Sequence, residues 1–376
     1  MVLFYIGLTL VLTGLYIYLI IYLLDIWESY PDYVEQSEID LTIGLSILIP
    51  ARNESANILN CLTSLITSAE GLTNRIEILV IDDHSEDNTY EFASGLGQPL
   101  IKVYKLQEWL GDRPINAYKK MALALGLEKA QEDYILQVDA DVTVPKSYLH
   151  TLLKALTKEQ PDLIAAPVLL EGESRLQIFQ TLDMMGMMAV TAAGIYSGHW
   201  HIANGANLLY KKELVQYEDS ATASGDDVIT IQKFAAEGRK IIFLKNLSAT
   251  VLTAALPDLA SFYKQRIRWA TKNKFQSSFS MKLMMAIPFL NCLLLLLHPI
   301  IAIWMGSIAW ILLAFHLMCK LLIDYLYLYA LATYFGKSQA LRSYWYSSIA
   351  HILYIACVGV ASLIVKKYEW KGRRVS

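Results

Sequence analysis

Tyr134-Ile-Leu-Gln-Val-Asp139-Ala-Asp141 is a short apolar run that ends in two carboxylates one residue apart. A run of this length reads as a strand buried on both faces rather than as a helix. Three earlier stretches share the form: Ser46-Ile-Leu-Ile-Pro50, Ile76-Glu-Ile-Leu-Val-Ile-Asp82 and Ile101-Lys-Val-Tyr104. Helical spacing separates them, with Ile58, Leu62, Leu65 and Ile66 after the first and Met121, Leu123, Leu125 and Leu127 before the last. This alternation predicts right-handed crossovers and a parallel, doubly wound, Rossmann-like α/β core.

In open α/β sheets ligands bind beyond the carboxyl ends of the strands. Three of those ends are polar here: Pro50-Ala-Arg-Asn-Glu54, Asp82-Asp83-His84-Ser85 and Asp139-Ala-Asp141. Any one of them reads equally well as a helix cap or turn acid, but three along one edge point to a site. No glycine fingerprint follows the first strand, Gly95-Leu-Gly97 lacks the third glycine, and a Walker-type loop is absent. Phosphates bound at this edge need another source of positive charge. Paired carboxylates suit a hard divalent ion that keeps substrate phosphates in its shell, so Asp139 and Asp141 are candidate ligands for Mg2+ or Mn2+.

Asp258 to Lys274 has helical periodicity and many basic residues. Gln265, Arg268 and Trp269 fall at i, i+3 and i+4 and share a face, while Arg266 points elsewhere. Phe262, Tyr263 and Ile267 also suit a helix lying on anionic lipid, and we expect both roles, one face on the membrane and one on the site. Ser224-Gly-Asp226-Asp227 opens a helical run, where the acids serve either as N-terminal caps or as a general base. His199-Trp-His201 would place two imidazoles on one strand face, and without a third ligand the structural reading is preferred over metal binding. Asn204-Gly-Ala-Asn207 reads as a turn.

Of 376 residues 55% are hydrophobic, and the mean hydropathy of +0.36 is too high for a wholly water-soluble chain. Val2 to Leu24 carries no charge and is long enough to cross a hydrocarbon core of about 30 Å. With no basic segment before it and no small-residue cleavage site before Asp25, it reads as a permanent anchor rather than a signal peptide. Apolar runs return at 283–303, 308–335 and 344–365. The tail Lys366-Lys367-Tyr-Glu-Trp-Lys371-Gly-Arg-Arg374 argues for a cytosolic end. With the water-soluble middle of the chain on the cytosolic side, three spans after it would put that tail outside, so Lys320 and Asp324 mark the lower half of 308–335 as a candidate for the membrane interface. With His298 and His316 they are the only ionisable groups expected at bilayer depth, which is thin support for a transporter. The net charge of −3 gives no basic excess for a nucleic-acid partner, and four cysteines without CxxC spacing indicate neither a disulfide framework nor a zinc site.

Taken in order, Pro50-Ala-Arg-Asn-Glu54, Asp82-Asp83-His-Ser, Asp139-Ala-Asp141, Gly225-Asp-Asp227 and Gln265-Arg-Ile-Arg-Trp269 resemble the motifs of family 2 glycosyltransferases. That GT-A group includes cellulose, chitin and hyaluronan synthases and ceramide glucosyltransferase. The resemblance implies an anchor and linker over 1–40, a GT-A domain over 41–255, an amphipathic interfacial helix over 256–282, and a transmembrane region with a basic tail over 283–376. It further implies that Pro50, Glu54, Asp83, Lys120 and Asp139 lie on the nucleotide side, with Lys119 and Lys120 similar to a basic pair found ahead of the metal motif. Asp141 matches the main metal ligand and Asp227 the general base, with Asp226 where many relatives have Glu; either carboxylate remains a candidate base. Gln265, Arg268 and Trp269, with Asn204 and Asn207, match the pyrophosphate and acceptor side. Gly111 to Lys120 departs from the usual Gly-Lys-x-x-Ala-Leu-Asn segment.

The activity implied is inverting, metal-dependent transfer of a sugar from a nucleotide diphosphate donor to a lipid-linked or saccharide acceptor. It would take place at the cytosolic face of a multi-pass protein of the cell or inner membrane. The alternatives are a processive synthase that exports its polymer and, further off, a non-catalytic scaffold or transporter.

Overall fold

A computed structural model describes residues 1–33, 38–111, 113, 115–218, 225–271, 278–364, 368–370 and 373–375. The expected basic tail falls partly outside them, at 366, 367, 371 and 372, as do Ser224 and the end of the basic stretch at 272–277. Along the chain run α1 (Val2–Ser29), β1 (Leu45–Ala51), α2 (Ile58–Ala69), β2 (Ile76–Asp82), α3 (Thr89–Gly95), β3 (Ile101–Lys105), α4 (Leu106–Leu110) and α5 (Tyr118–Lys129). They are followed by β4 (Tyr134–Val138), β5 (Val142–Thr143), α6 (Tyr148–Glu159), β6 (Leu163–Ala165), β7 (Val168–Glu171), α7 (Arg175–Ser197), β8 (Asn207–Lys211) and α8 (Asp226–Ala236). Next come β9 (Ile241–Phe243), β10 (Val251–Ala254), α9 (Leu259–Thr271), α10 (Phe279–Met305), α11 (Ser307–Tyr334) and α12 (Tyr344–Ile364), followed by two short paired strands, β11 (Tyr368–Trp370) and β12 (Arg373–Val375).

Two compact units result. One holds residues 31–169 and 201–254 with the end of the chain; the other holds 1–30, 170–200 and 255–368. The α/β body expected over 41–255 is therefore interrupted, because α7, rich in Ala, Met and Leu, clusters with the terminal helices instead.

The α/β unit is built on a seven-stranded sheet in the order β3-β2-β1-β4-β8-β6-β9. Leu45, Ile47, Leu48 and Ile49 are all fully buried, so consecutive residues of β1 are covered on opposite faces. Strands β3, β2, β1 and β4 run parallel, as the alternation predicts, but β8 runs antiparallel to both β4 and β6. The sheet is mixed because the chain enters β8 at the carboxyl edge of β4, where Val138 pairs with Asn207, and must run back. Helix α5 packs on β1 and β2. A Cβ on its Gly126 would sit 3.0 Å from Leu48 Cδ1 and 3.2 Å from Ile81 Cδ1, so the missing side chain sets how closely the helix approaches the sheet.

Among the described residues of the helical unit, five helices are long and apolar enough to cross a membrane: α1, α7, α10, α11 and a segment over Ser338–Ile364 that contains α12. Sequence reading found four and missed α7, whose Arg175, Asp183 and Gly186 dilute its apolar signal. Lys320 and Asp324 form an ion pair inside the bundle, at 1% and 9% exposure, and Tyr16 bridges them, donating to Asp324 Oδ1 at 2.7 Å while accepting from Lys320 Nζ at 2.9 Å. His298 and His316 are buried too, and linked at 3.0 Å. Helix geometry explains this placement, since His316, Lys320 and Asp324 are spaced i, i+4, i+8 and occupy one stripe of α11.

Candidate active site

The parallel strands bring their carboxyl ends to one edge of the sheet, and β1 is the strand at which the order reverses, with β2 on one side and β4 on the other. At the end of β1, Arg52 is buried and donates to the carbonyls of Asp83 and His84, each at 3.0 Å, and to Glu86 at 3.3 Å. Asp83 N–H donates to Ala51 O at 2.7 Å. Asn53 and His84 hold left-handed backbone conformations, with φ of 52° and 55°, unusual for residues with a side chain. Asn53 N–H donates to Ser85 Oγ at 3.0 Å and its Oδ1 accepts from Glu86 N–H at 2.8 Å, which locks the two strand ends together. The Asp83 carboxylate is 2% exposed and lies 2.9 Å from His84 Nδ1; the His84 ring meets Tyr118 edge-on, one residue before Lys119.

The end of β4 carries the metal candidates. Asp141 is solvent-accessible, yet its surroundings push its carboxyl up to about 6, first through burial among neighbouring atoms and then through the charges of Asp139 and Glu54. Thr253 opposes this by hydrogen bonding. Beneath them the thiol of buried Cys61 lies 3.7 Å from Asp139 O, held well above its ordinary range by burial and by Asp141, Asp139 and Glu54. Glu54, Asp139 and Asp141 thus share one neighbourhood. Among the described residues no group of three His, Cys, Asp or Glu side chains is arranged to enclose a metal ion.

Lys119 brings a positive charge to the end of β4. Its Nζ lies 2.7 Å from Asp139 Oδ1, and although burial opposes the charge, Asp139, Asp226 and Asp227 hold it well above the usual lysine range. Lys120, which the resemblance placed on the nucleotide side, is 5% exposed on the same helix, and it is Lys119 that reaches Asp139. Asp226 and Asp227 open α8 behind Gly225, whose φ of 100° turns the chain into the helix. A helix N-terminus favours such carboxylates. Gln137 of β4 donates to Asp226 Oδ2 at 3.0 Å, and Gly205 N–H donates to Asp227 Oδ2 at 3.3 Å.

Asn204 Oδ1 accepts from Ala206 N–H at 3.0 Å and shapes the turn before β8. Asn207 is a strut rather than a binding group. It is 1% exposed, spends both amide hydrogens on the carbonyls of Pro167 and Ala249 at 2.8 and 2.9 Å, and accepts from Tyr148 at 2.7 Å. His199 and His201 lie outside any strand, and His199 Nδ1 is 3.0 Å from Tyr22 OH. An open cavity walled by Glu128, Tyr134, Lys211 and Glu213 lies at the opposite, amino end of β4.

Gln265, Arg268 and Trp269 belong to α9 of the helical unit, all partly buried. Arg266 does turn inward there. It is 1% exposed, lies 2.7 Å from Asp183 of α7, and stacks 4.4 Å from the Trp269 ring.

An α/β sheet with this carboxylate edge at its switch point is the GT-A architecture of nucleotide-diphospho-sugar transferases. Two family models match, Glycosyl transferase family 2 over residues 46–217 and Glycosyl transferase family group 2 over 134–360, the second covering more than half of the chain. The chain belongs to glycosyltransferase family 2. A probable glycosyltransferase of Sulfolobus acidocaldarius is 25% identical over 60% of this chain and 49% of its own length. The poly-beta-1,6-N-acetyl-D-glucosamine synthase of Staphylococcus aureus is 26% identical over 62% of this chain and 55% of its own. The chain therefore spans about half the length of the curated relatives it matches. Among solved structures, a mannosyltransferase from Pyrobaculum calidifontis, in complex with GDP-Man and Mn2+, has a similar fold, with a TM-score of 0.57 at 18% identity over 97% of this chain and 98% of that one.

Proposed function

We propose that this chain is an inverting, divalent-metal-dependent glycosyltransferase that moves a sugar from a nucleotide diphosphate donor to a lipid-linked or saccharide acceptor at the cytosolic membrane face. One observation carries the reading: Lys119, Asp139, Asp226 and Asp227 form one charged cluster, while Asp141 is crowded by Asp139 and Glu54. Carboxylates forced together in this way fit a divalent cation, and two of them leave room for phosphate oxygens in its shell. Asp141 and Asp139 are the residues to hold it. When bound, Mg2+ or Mn2+ would neutralise charge developing on the departing diphosphate.

The remaining roles fall to the chain's own groups. Lys119 is placed to turn from Asp139 towards the phosphates. Pro50, Glu54 and Asp83 cradle the nucleoside, supported by the fixed conformation of the β1 and β2 ends. A carboxylate at the start of α8 takes the proton from the acceptor hydroxyl as it attacks from the face opposite the leaving group, and a single displacement inverts the anomeric centre. For Gln265, Arg268 and Trp269, the resemblance alone supports a part in pyrophosphate or acceptor binding. The GDP-Man and Mn2+ of the Pyrobaculum calidifontis enzyme are consistent with such a donor and metal. Nucleotide sugars are cytosolic, which supports the membrane face.

The test is release of nucleoside diphosphate by detergent-purified protein from a panel of nucleotide sugars, with Mn2+ or Mg2+ and extracted membrane lipids. Metal-dependent release that disappears in Asp141→Asn and Asp227→Asn is expected. Full activity in both variants would sink the mechanism. A second reading, processive polymer synthesis, is favoured by the named activity of the Staphylococcus aureus relative and by the ionisable groups buried in the helical unit; a ladder of long products would select it.

A further inference from the structure

Gln137 is a polar residue in the middle of an apolar strand, fully buried between its partners Leu48 on β1 and Leu208 on β8. A buried amide requires partners for both ends. Its Nε2 donates to Asp226 Oδ2 at 3.0 Å, and its Oε1 accepts from Tyr217 OH at 3.4 Å, itself 3.2 Å from Tyr210 OH. The two neighbouring carboxylates are thereby treated differently. Asp226 is tied to an interior side chain and is 4% exposed, whereas Asp227, at 9%, accepts from two backbone donors, Gly205 N–H at 3.3 Å and Val228 N–H at 2.8 Å.

Space at this point is rationed. A Cβ on Gly205 would stand 2.7 Å from Gln137 Nε2 and 3.5 Å from both Asp226 Oδ2 and Asp227 Cβ. Glycine at 205 thus leaves the amide room to reach Asp226, and its own N–H meets Asp227. Asp139 follows two residues on, immediately past the end of β4. The strand that carries the residue gripping the start of α8 therefore leads directly into a carboxylate of the proposed metal pair.

We propose that Gln137 is a positioning residue, that Asp226 serves as the acceptor through which Gln137 and β4 fix the start of α8, and that Asp227 is the base. This rests on the glycosyltransferase reading above. A residue that only accepts a hydrogen bond can be replaced by one that keeps the oxygen, but a base cannot.

The experiment compares Asp226→Asn, Asp226→Leu, Gln137→Leu and Asp227→Asn by steady-state kinetics of diphosphate release, with thermal melts to confirm folding. Asparagine at 226 still offers Oδ1 to Gln137 but takes no proton, so Asp226→Asn should retain kcat within about fivefold of the parent while Asp227→Asn loses activity. Gln137→Leu and Asp226→Leu should each lower kcat by about 10- to 100-fold, because a misplaced catalytic group costs that much. In both, donor KM should move by less than about twofold, as a loss confined to the transition state requires. Asp226→Asn as inactive as Asp227→Asn would overturn the assignment, and so would a folded Gln137→Leu with parental kcat. Should Gln137→Leu not fold, the contrast between the two asparagine variants decides. A parent protein that releases no diphosphate from any donor would instead defeat the glycosyltransferase reading, a distinct failure.

Discussion

Lys119 Nζ lies 2.7 Å from Asp139 Oδ1. This pair joins the first turn of α5 to the end of β4, and Asp226 and Asp227 at the start of α8 add to the field that keeps the ammonium charged. On the proposed reading, the lysine lies beside one of the two carboxylates assigned to the cation.

Lys119→Met should therefore act mainly on the donor. Loss of one charge-assisted contact to phosphate predicts a fall in kcat/KM of about 10- to 100-fold, with much of it in donor KM. Initial rates of diphosphate release over a range of donor concentrations check this.

Asp141 gives a pH signature. Its carboxyl is raised to about 6, so the folded protein binds this proton more tightly than the unfolded chain does. The resulting stabilisation is complete below the ordinary carboxylate range and is lost as pH rises towards and through about 6. On the proposed reading a divalent ion would displace the same proton, so affinity for Mn2+ should climb with pH up to about 6 and flatten above it. Titration calorimetry with Mn2+ at several pH values measures this, and in Asp141→Asn the step should vanish.

Gly126 tests the packing that holds the site's strands. Gly126→Val would force a branched side chain into the space of Leu48 and Ile81, and overpacking of this kind costs about 1–3 kcal/mol. Thermal or denaturant unfolding of the purified protein reads it directly.

In the helical unit, Lys320→Met alone would leave Asp324 as an uncompensated buried charge, a loss of about 3–5 kcal/mol. The double variant Lys320→Met/Asp324→Leu should recover most of that, because well-packed apolar groups replace a buried pair at little cost. Melting temperatures of parent, single and double variants in one detergent form the test.

Much of the α/β unit was legible because strand ends announce themselves, an apolar run followed at once by charge, as at Asp82-Asp83 and Asp139. The reversal at β8 was not, since Asn207 to Lys211 carries no mark of strand direction, which depends on where the chain re-enters the sheet. Lys119 and Lys120 could not be separated for a related reason: adjacent helical residues point about 100° apart, and only packing decides which one faces the edge. Helix α7 escaped notice because 72% of its most apolar window is buried inside the protein, a setting that tolerates Asp183 beside Arg266 where lipid would not. Gln137 did leave a signal, a lone amide in an apolar strand two residues before Asp139, and it passed unread because the strand was judged by its majority.

The left-handed turns at Asn53 and His84, bolted together through Arg52, have a thermodynamic consequence. Backbone in such conformations is costly to hold, and that cost is met during folding rather than at the moment of encounter. On the proposed reading, a guest arriving at this wall would find it already set, lose little of its binding free energy to ordering the chain there, and be accepted or refused on shape.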